Sequence, residues 1–380
     1  MTGSIIRDIR LIALSYSFAE ETAYGMARGL VSSRQTTIVQ VITDEGVVGV
    51  GEAWGPPAVT AAYLALVRGY FVGSNLFGHE HIVSLILSRH YHFGIQNQMV
   101  ACLSGIDMAI RDAIGRTLGV PVYQLLGGKS ADRLPVYASG GYLTAARGKS
   151  LEDQLAPLAG RGFPGAKIKI GLGPASDEER VRTARQMLGN DMLLMVDANG
   201  NYTCDVALES MRRIAPYGIH WYEEPLAPQD FRGYRALHAQ APIPVATGEA
   251  LYTAFDFKRL LDDGSVDVVQ PDLSLCGGLG EGKLIARLAA LNHVRLSPHV
   301  WGGAVGLAAA CHFVASLPTY PHAGNVPYPC LIEYDVGDNP LRDSILRAPI
   351  ALEDGHLILP EGPGLGIELD PSALDHFQLT

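Results

Sequence analysis

The chain reads as an α/β protein, a βα barrel preceded by a smaller α+β unit. Three observations carry that expectation. From Leu134 onward, eight short apolar runs alternate with helical segments at intervals of roughly 25 residues, the rhythm of repeated βα units. Each run is nearly continuous in apolar residues and ends in Gly, Pro or a polar residue, as parallel strands covered on both faces do. No G-x-G-x-x-G follows the first run, which a doubly wound dinucleotide fold would require.

Taken in order, Ile5 to Ser15 and Thr37 to Val50 carry the β-branched residues of strands, and Asp44-Glu45-Gly46 supplies a hairpin turn. Between them Phe18 to Gln35, rich in Ala, Gly and Ser, shows no period and reads as a loop. Met99 to Leu118 repeats apolar residues at helical spacing (Leu103, Ile106, Ile110, Ile114) and is stopped by Gly119-Val120-Pro121. The eight barrel runs are then Leu134–Ala138, Ala166–Ile170, Leu193–Asp197, Ile219–Glu223, Ile243–Glu249, Val266–Asp272, Val294–His299 and Cys330–Glu333. The expected division is residues 1–130, 131–350 for the barrel, and 351–380 for a C-terminal segment that returns to the first unit.

Composition sets the class of partner. With 380 residues, 48% of them hydrophobic and 18% charged, the chain can bury a large core. A net charge of −10 argues against nucleic acid and anionic membranes, and no apolar run is long enough to span a bilayer. Five scattered cysteines without a C-x-x-C pair indicate neither a disulfide framework nor a thiolate metal site, so a cytoplasmic location is expected. His79-Glu80-His81 and His90-Tyr91-His92 resemble ligand pairs of metal hydrolases, but they precede the barrel. GGLGEGKL from Gly277 and Gly127-Gly128-Lys129-Ser130 are incomplete phosphate loops, with Leu284 and Tyr123 at positions the motif reserves for other residues.

The residues that end the strands carry the chemistry, because in a βα barrel those ends converge on one mouth. Asp197, Glu223 and Glu249 end three successive strands at equal spacings of 26 residues. Three such carboxylates repel unless a cation joins them, and an all-oxygen set suits Mg²⁺, with Mn²⁺ as substitute. Asp272 and His299 end the next two strands and form a candidate carboxylate–imidazole dyad. In GAKIKIG, Lys167 and Lys169 lie two apart and so share one strand face. A lysine base on one side and a His-Asp base on the other suit removal of the proton α to a carboxylate through a metal-stabilised enediolate. Glu333 on the eighth strand could donate a hydrogen bond to a substrate carboxylate if it is protonated.

The motifs SGIDMAIRDAIGRTLGVPVYQLLGG, AKIKIG, MVDANG, WYEEPL, TGEA, QPD and SPHVWGG, in this order, resemble the enolase superfamily, mandelate racemase subgroup. The resemblance implies a modified (β/α)7β barrel, that is, a modified TIM barrel, under an α+β capping domain built from both termini. It implies Asp197, Glu223 (rather than Glu224) and Glu249 as Mg²⁺ ligands and Lys169 and the His299–Asp272 dyad as bases. Lys167 would contact the substrate carboxylate, and Asn199 would be a polar group on the substrate side. Within the subgroup, PHVWG, LIEYD, DNPLRDSILRAPI and GPGLGIELD are most similar to acid-sugar dehydratases and galactarolactone cycloisomerases.

That family places substrate choice in the capping loops, here Phe18 to Gln35 and Glu52 to Pro57, with Tyr24, Arg28 and Trp54 as candidates and Arg28 expected to meet a distal carboxylate. It also implies a homo-oligomer, often an octamer. The expected reaction is β-elimination from an acid sugar or its lactone. Racemisation or epimerisation of a 2-hydroxy acid and a barrel that binds without catalysing are the rival readings.

Overall fold

The computed structural model describes residues 4–19, 23–145, 150–318 and 330–379. The first unit is a three-stranded antiparallel sheet, with Ser33–Thr43 between Ile6–Ser17 and Val48–Ala53, covered by the helices Pro57–Phe71, His79–Arg89 and Gln98–Leu118. The longest helix starts at Asn97, whose side chain accepts from Met99 N–H, and stops at Gly119 in the left-handed conformation. Its middle lies flat on the strand Val48–Ala53. A Cβ on Gly49 or Gly51 would collide with backbone carbonyls of that helix, so the alternate glycines of VGVGEA are what let strand and helix approach.

The barrel follows as a (β/α)7β unit. Its eight strands are Arg133–Gly140, Gly165–Lys169, Leu193–Asp197, Ile219–Glu223, Val245–Thr247, Val268–Val269, Arg295–Leu296 and Ile332–Asp335. Helices follow the first seven: Leu151–Leu155, Pro174–Leu188, Cys204–Ile214, Phe231–His238, Thr253–Asp262, Gly278–Leu291 and Ala304–Ala315. All barrel pairings are parallel. Among the described residues no ladder joins strands seven and eight. Instead Ser297 Oγ donates to the carbonyl of Leu331 at 2.6 Å, and Val300 N–H donates to Glu333 Oε2 at 3.1 Å. Tyr137, Met195, Trp221, Ala246, Val268 and Leu331 fill the barrel below its mouth.

Three expectations change. Phe18 to Gln35, which includes residues 20–22 outside the described set, is not a loop: Tyr24–Met26 and Gly29–Val31 form a hairpin whose first strand also pairs with Thr144–Ala145. A three-residue strand is too short to show alternation, and its partner lies in the barrel. The last strands are shorter than expected because Pro271 and Pro298 have no N–H for the ladder, so Asp272 and His299 continue as extended backbone joined by a single parallel bridge. The C-terminal segment returns first to the barrel, not directly to the first unit: Leu352–Glu353 and His356–Ile358 form a hairpin that pairs with the start of barrel strand one. The segment then meets the cap, first through Gly364 N–H on Val120 O and Leu365 N–H on Asp112, and afterwards through Pro371–Phe377, beyond which Leu379 N–H donates to Ala13 O.

Buried acids join the parts. Asp112 accepts from Val50 N–H (2.8 Å), Leu365 N–H (2.7 Å) and Arg116 Nε (2.9 Å), tying cap strand, cap helix and C-terminal segment together. Asp107 accepts from Leu279 N–H (2.8 Å) and Gly280 N–H (3.2 Å) at the start of a barrel helix, and from Arg111 Nε (3.0 Å). Burial raises the pKa of Asp107, but Arg111, His79 and the backbone donors outweigh it and hold the carboxyl at about 2 instead of 3.8. A depressed pKa stabilises the fold above the unfolded-state value and loses that contribution as pH falls towards 2, a difference worth about 2 kcal/mol. Asp107→Asn should therefore unfold at lower denaturant concentration at pH 7, with the gap to wild type narrowing near pH 3; a gap that stays constant over this range would contradict the assignment.

Candidate active site

Register builds the mouth of the barrel. Lys169 pairs with Asp197, and Asp197 pairs with Glu223, so these three share one layer of the sheet and face inward together. Glu249 follows strand five after Gly248, whose φ of 138° turns the chain at that point. Among the described residues, Asp197, Glu223 and Glu249 are the one group of His, Cys, Asp and Glu whose ligand atoms come together, all within 4.8 Å. The histidines of His79-Glu80-His81 and His90-Tyr91-His92 form no such group.

Two of the three carboxylates are held by hydrogen bonds. Asp197 accepts from Asn199 N–H (2.7 Å), from Asn199 Nδ2 (3.2 Å) and from Lys169 Nζ (2.5 Å). Glu223 accepts from Lys167 Nζ, Trp221 Nε1 (3.1 Å) and Gln270 Nε2 (2.6 Å). Asn199 carries a φ of 47°, a left-handed turn that asparagine tolerates and that brings its amide back onto Asp197. Burial, reinforced by Asp197, Glu333 and Glu249, raises Glu223 to about 7 against the pull of Lys167. Glu224 also turns through a left-handed φ, of 41°, and burial followed by Glu249, Asp197 and Glu223 pushes its carboxyl well above the usual carboxylate range.

On the other side, His299 Nδ1 is 2.7 Å from Asp272 Oδ2, while Ser274 N–H donates to Asp272 Oδ1 at 2.7 Å. This leaves Nε2 facing the mouth, 3.6 Å from Glu249 and 3.7 Å from Glu333. Burial alone would lower the imidazole pKa, but Glu249, Glu333 and Asp272 raise it to about 10.

Glu333 differs from expectation. It is the second residue of strand eight, not its end, and it pairs with Tyr137 below the rim. Lys167 Nζ lies 2.8 Å from its other oxygen. Burial disfavours ionisation there, yet Lys167, His299 and Lys169 together hold Glu333 at about 2. Glu333 thus lies between Lys167 and His299, with one oxygen towards each.

Arg28 Nε donates to the carbonyl of Asn199 (2.5 Å) and Nη2 to that of Gly200 (3.0 Å), fastening the cap hairpin to the loop after strand three. Tyr24 packs with Tyr142 (ring centroids 4.5 Å apart) and accepts from Trp301 Nε1 at 3.2 Å. Trp301 lies 5.6 Å from Lys169 Nζ. Trp54 is half-exposed at 43%, and its N–H donates to Ser274 O at 3.1 Å. The sequence signals for Gln270, Trp221 and Trp301 were present in QPD, WYEEPL and PHVWGG, but nothing local assigns their side chains these partners.

The donor set fits a divalent cation. Asp197, Glu223, Glu249, Asp272 and Glu333 formally meet three cations, Lys167, Lys169 and His299, a shortfall of two charges. Such a mouth could hold a divalent cation beside groups able to move a proton. Models of the enolase C-terminal domain-like family and of the mandelate racemase / muconate lactonizing enzyme N-terminal domain match residues 150–373 and 14–127, and the chain belongs to this enolase-superfamily group. It is 36% identical over 361 residues to the D-galactarolactone cycloisomerase of Agrobacterium fabrum, covering 94% of this chain and 95% of that protein.

The crystal structure of the 3,6-anhydro-D-galactonate cycloisomerase from Zobellia galactanivorans matches with a TM-score of 0.88 at 34% identity, over 99% of this chain and 100% of that one. A racemase from Streptomyces coelicolor A3(2), solved with bound magnesium, matches with a TM-score of 0.87 at 26% identity over 99% and 100% of the two chains.

Because the Asn199 side chain donates to Asp197 from Nδ2, Asn199→Gly, which removes that bond but keeps the backbone N–H donor and the left-handed turn, should weaken Mn²⁺ binding about 10-fold. Titration followed by electron paramagnetic resonance reads this directly, and an unchanged affinity would show that Asn199 does not support the ligand.

Proposed function

We propose that the chain removes the proton α to the carboxylate of an acid sugar, in lactone or anhydro form, and expels the β-oxygen to open the ring, with dehydration of the open-chain acid as the same chemistry on another substrate. The observation that carries this reading is the placement of Lys169 and the His299–Asp272 pair around Asp197, Glu223 and Glu249. The two cycloisomerases among the relatives support the choice of a cyclic acid sugar.

Asp197, Glu223 and Glu249 would hold Mg²⁺, which supplies positive charge that acidifies the α-proton of a bound carboxylate. Lys167 contacts the substrate carboxylate and, with Glu333, sets the floor of the mouth. Lys169 Nζ or His299 Nε2, whichever faces the α-hydrogen, takes the proton in its neutral form. The other, as a cation, delivers a proton to the departing oxygen, which leaves with the electron pair of the broken C–O bond. Asp272 fixes the imidazole orientation, so Nε2 is the nitrogen presented to substrate. Tyr24 and Asn199 lie beside the mouth as substrate-side polar groups. Bases on two sides also permit return of the proton to the opposite face, the epimerase outcome.

Incubation of acid-sugar lactones and anhydro acids with Mg²⁺ in deuterated water separates these outcomes. Elimination predicts a deoxy-keto acid with deuterium incorporated, and epimerisation predicts an acid of unchanged connectivity that is inverted at an α-carbon carrying deuterium. Lys169→Ala and His299→Asn should each reduce turnover by about 10²–10⁴-fold. Full activity in both variants on a substrate that the wild type converts would overturn the mechanism.

A further inference from the structure

Both halves of the His299–Asp272 pair are held from one place, the end of the cap strand Val48–Ala53. On the aspartate side, Trp54 N–H donates to Ser274 O at 3.1 Å, and Ser274 N–H donates to Asp272 at 2.7 Å. On the histidine side stands Glu52. Its Oε1 accepts from Gly303 N–H (2.5 Å) and from the Thr36 hydroxyl (2.6 Å), and its Oε2 accepts from Gly306 N–H (2.7 Å). Gly303 and Gly306 begin the helix Ala304–Ala315, whose first N–H groups have no partner within the helix and whose dipole favours a negative charge. Glu52 is 1% exposed, so no water takes its place.

The loop between His299 and that helix is pinned at every residue. Val300 N–H goes to Glu333 (3.1 Å), Trp301 O accepts from Arg34 Nη1 (3.0 Å), and Gly302 O accepts from Asn339 Nδ2 (3.1 Å). Arg34 itself is tied to Asp335 at 2.7 Å. The glycines are shaped around the glutamate: a Cβ on Gly302 would lie 2.5 Å from Glu52 Oε1, and one on Gly303 or Gly306 would lie 3.3 Å from its oxygens. Glu52 thus joins a cap strand to a barrel loop 251 residues away, and that loop carries a base at one end.

We propose that Glu52 is a positioning residue for the reaction: it transmits the seating of the cap to the loop His299–Gly303 and so holds the imidazole against Asp272. Only a carboxylate serves, since three donors converge on two acceptor oxygens. The amide of glutamine would turn its NH₂ onto a backbone N–H. The expected result of its loss is a displaced base rather than a damaged metal site, because its partners lie on the His299 loop and none of Asp197, Glu223, Glu249 or Lys169 is among them.

The proposal rests on His299 being one of two bases, so its test has one arm that needs no turnover. The hydrogen-bonded Nδ1 proton of His299 should give a downfield proton resonance, identified by its disappearance in His299→Asn. In Glu52→Gln that resonance should shift upfield or vanish, while Mn²⁺ affinity stays within about threefold of wild type, well inside the 10–100-fold loss expected of a ligand support. In the second arm, α-deuterium exchange on the His299 face should slow about 30–100-fold, the scale of a misplacement of about 1 Å. Exchange on the Lys169 face should be unchanged.

An unshifted resonance, or equal slowing on both faces, would overturn the proposal. Should Glu52→Gln not fold, Thr36→Val removes one donor and keeps the carboxylate, and the same resonance must still shift, though less; no shift would again overturn it. Failure of every acid sugar to exchange would count against the proposed function, while the resonance would still decide the role of Glu52.

Discussion

The arrangement depends on one electrostatic constraint: a barrel mouth that gathers five carboxylates, four of them buried, must surround them with positive charge. An uncompensated buried ion costs several kcal/mol, so neither the acids nor the lysines could occupy these positions alone. Strand register enforces the match, because a slip of one residue would turn Lys169, Asp197 and Glu223 from the interior to the helix-covered face. Lys167 sits one inward position below Lys169, where it meets Glu223 and Glu333 at once. The two lysines of one short strand therefore serve different acids at different depths.

The same constraint organises the contact between cap and barrel. Asp107, Asp112 and Glu52 are buried acids of the cap or its helix, and each spends its oxygens on backbone N–H groups of another part of the chain. Such contacts add orientation to the non-directional packing of the core, since a displaced cap would leave both the carboxylate and the helix amides unsatisfied. Arg28 works in the opposite sense, a cap cation on barrel carbonyls, and its target Asn199 is the residue that holds Asp197. The cap thereby reaches both sides of the mouth, the carboxylate cluster through Arg28 and Asn199 and the imidazole through Glu52.

Features set by local pattern were legible in the amino-acid sequence. Apolar runs ending in polar residues marked the strands, and the equal spacing of Asp197, Glu223 and Glu249 reflected equal βα units, which in the structure place all three at the mouth. The pairing of Asp272 with His299 followed from neighbouring strand ends and is present at 2.7 Å. What depended on distant contacts was not legible. The hairpin at Tyr24–Val31 is completed by Thr144–Ala145, and Arg28 finds its carbonyl 171 residues away. The apolar run of strand eight stops at Glu333, but pairing with strand one extends the strand through Asp335 and draws Glu333 below the rim, between Lys167 and His299.

The central claim is that Asp197, Glu223 and Glu249 form the site of one divalent cation, which displaces the lysine ammonium groups as their direct partner. A crystal structure of the wild-type chain grown with Mn²⁺, with anomalous scattering recorded, tests it most directly. The account predicts one peak bounded by oxygens of these three residues, with Lys169 Nζ withdrawn from Asp197. A peak elsewhere, or no peak at millimolar Mn²⁺ with Lys167 and Lys169 still bound to the carboxylates, would contradict it.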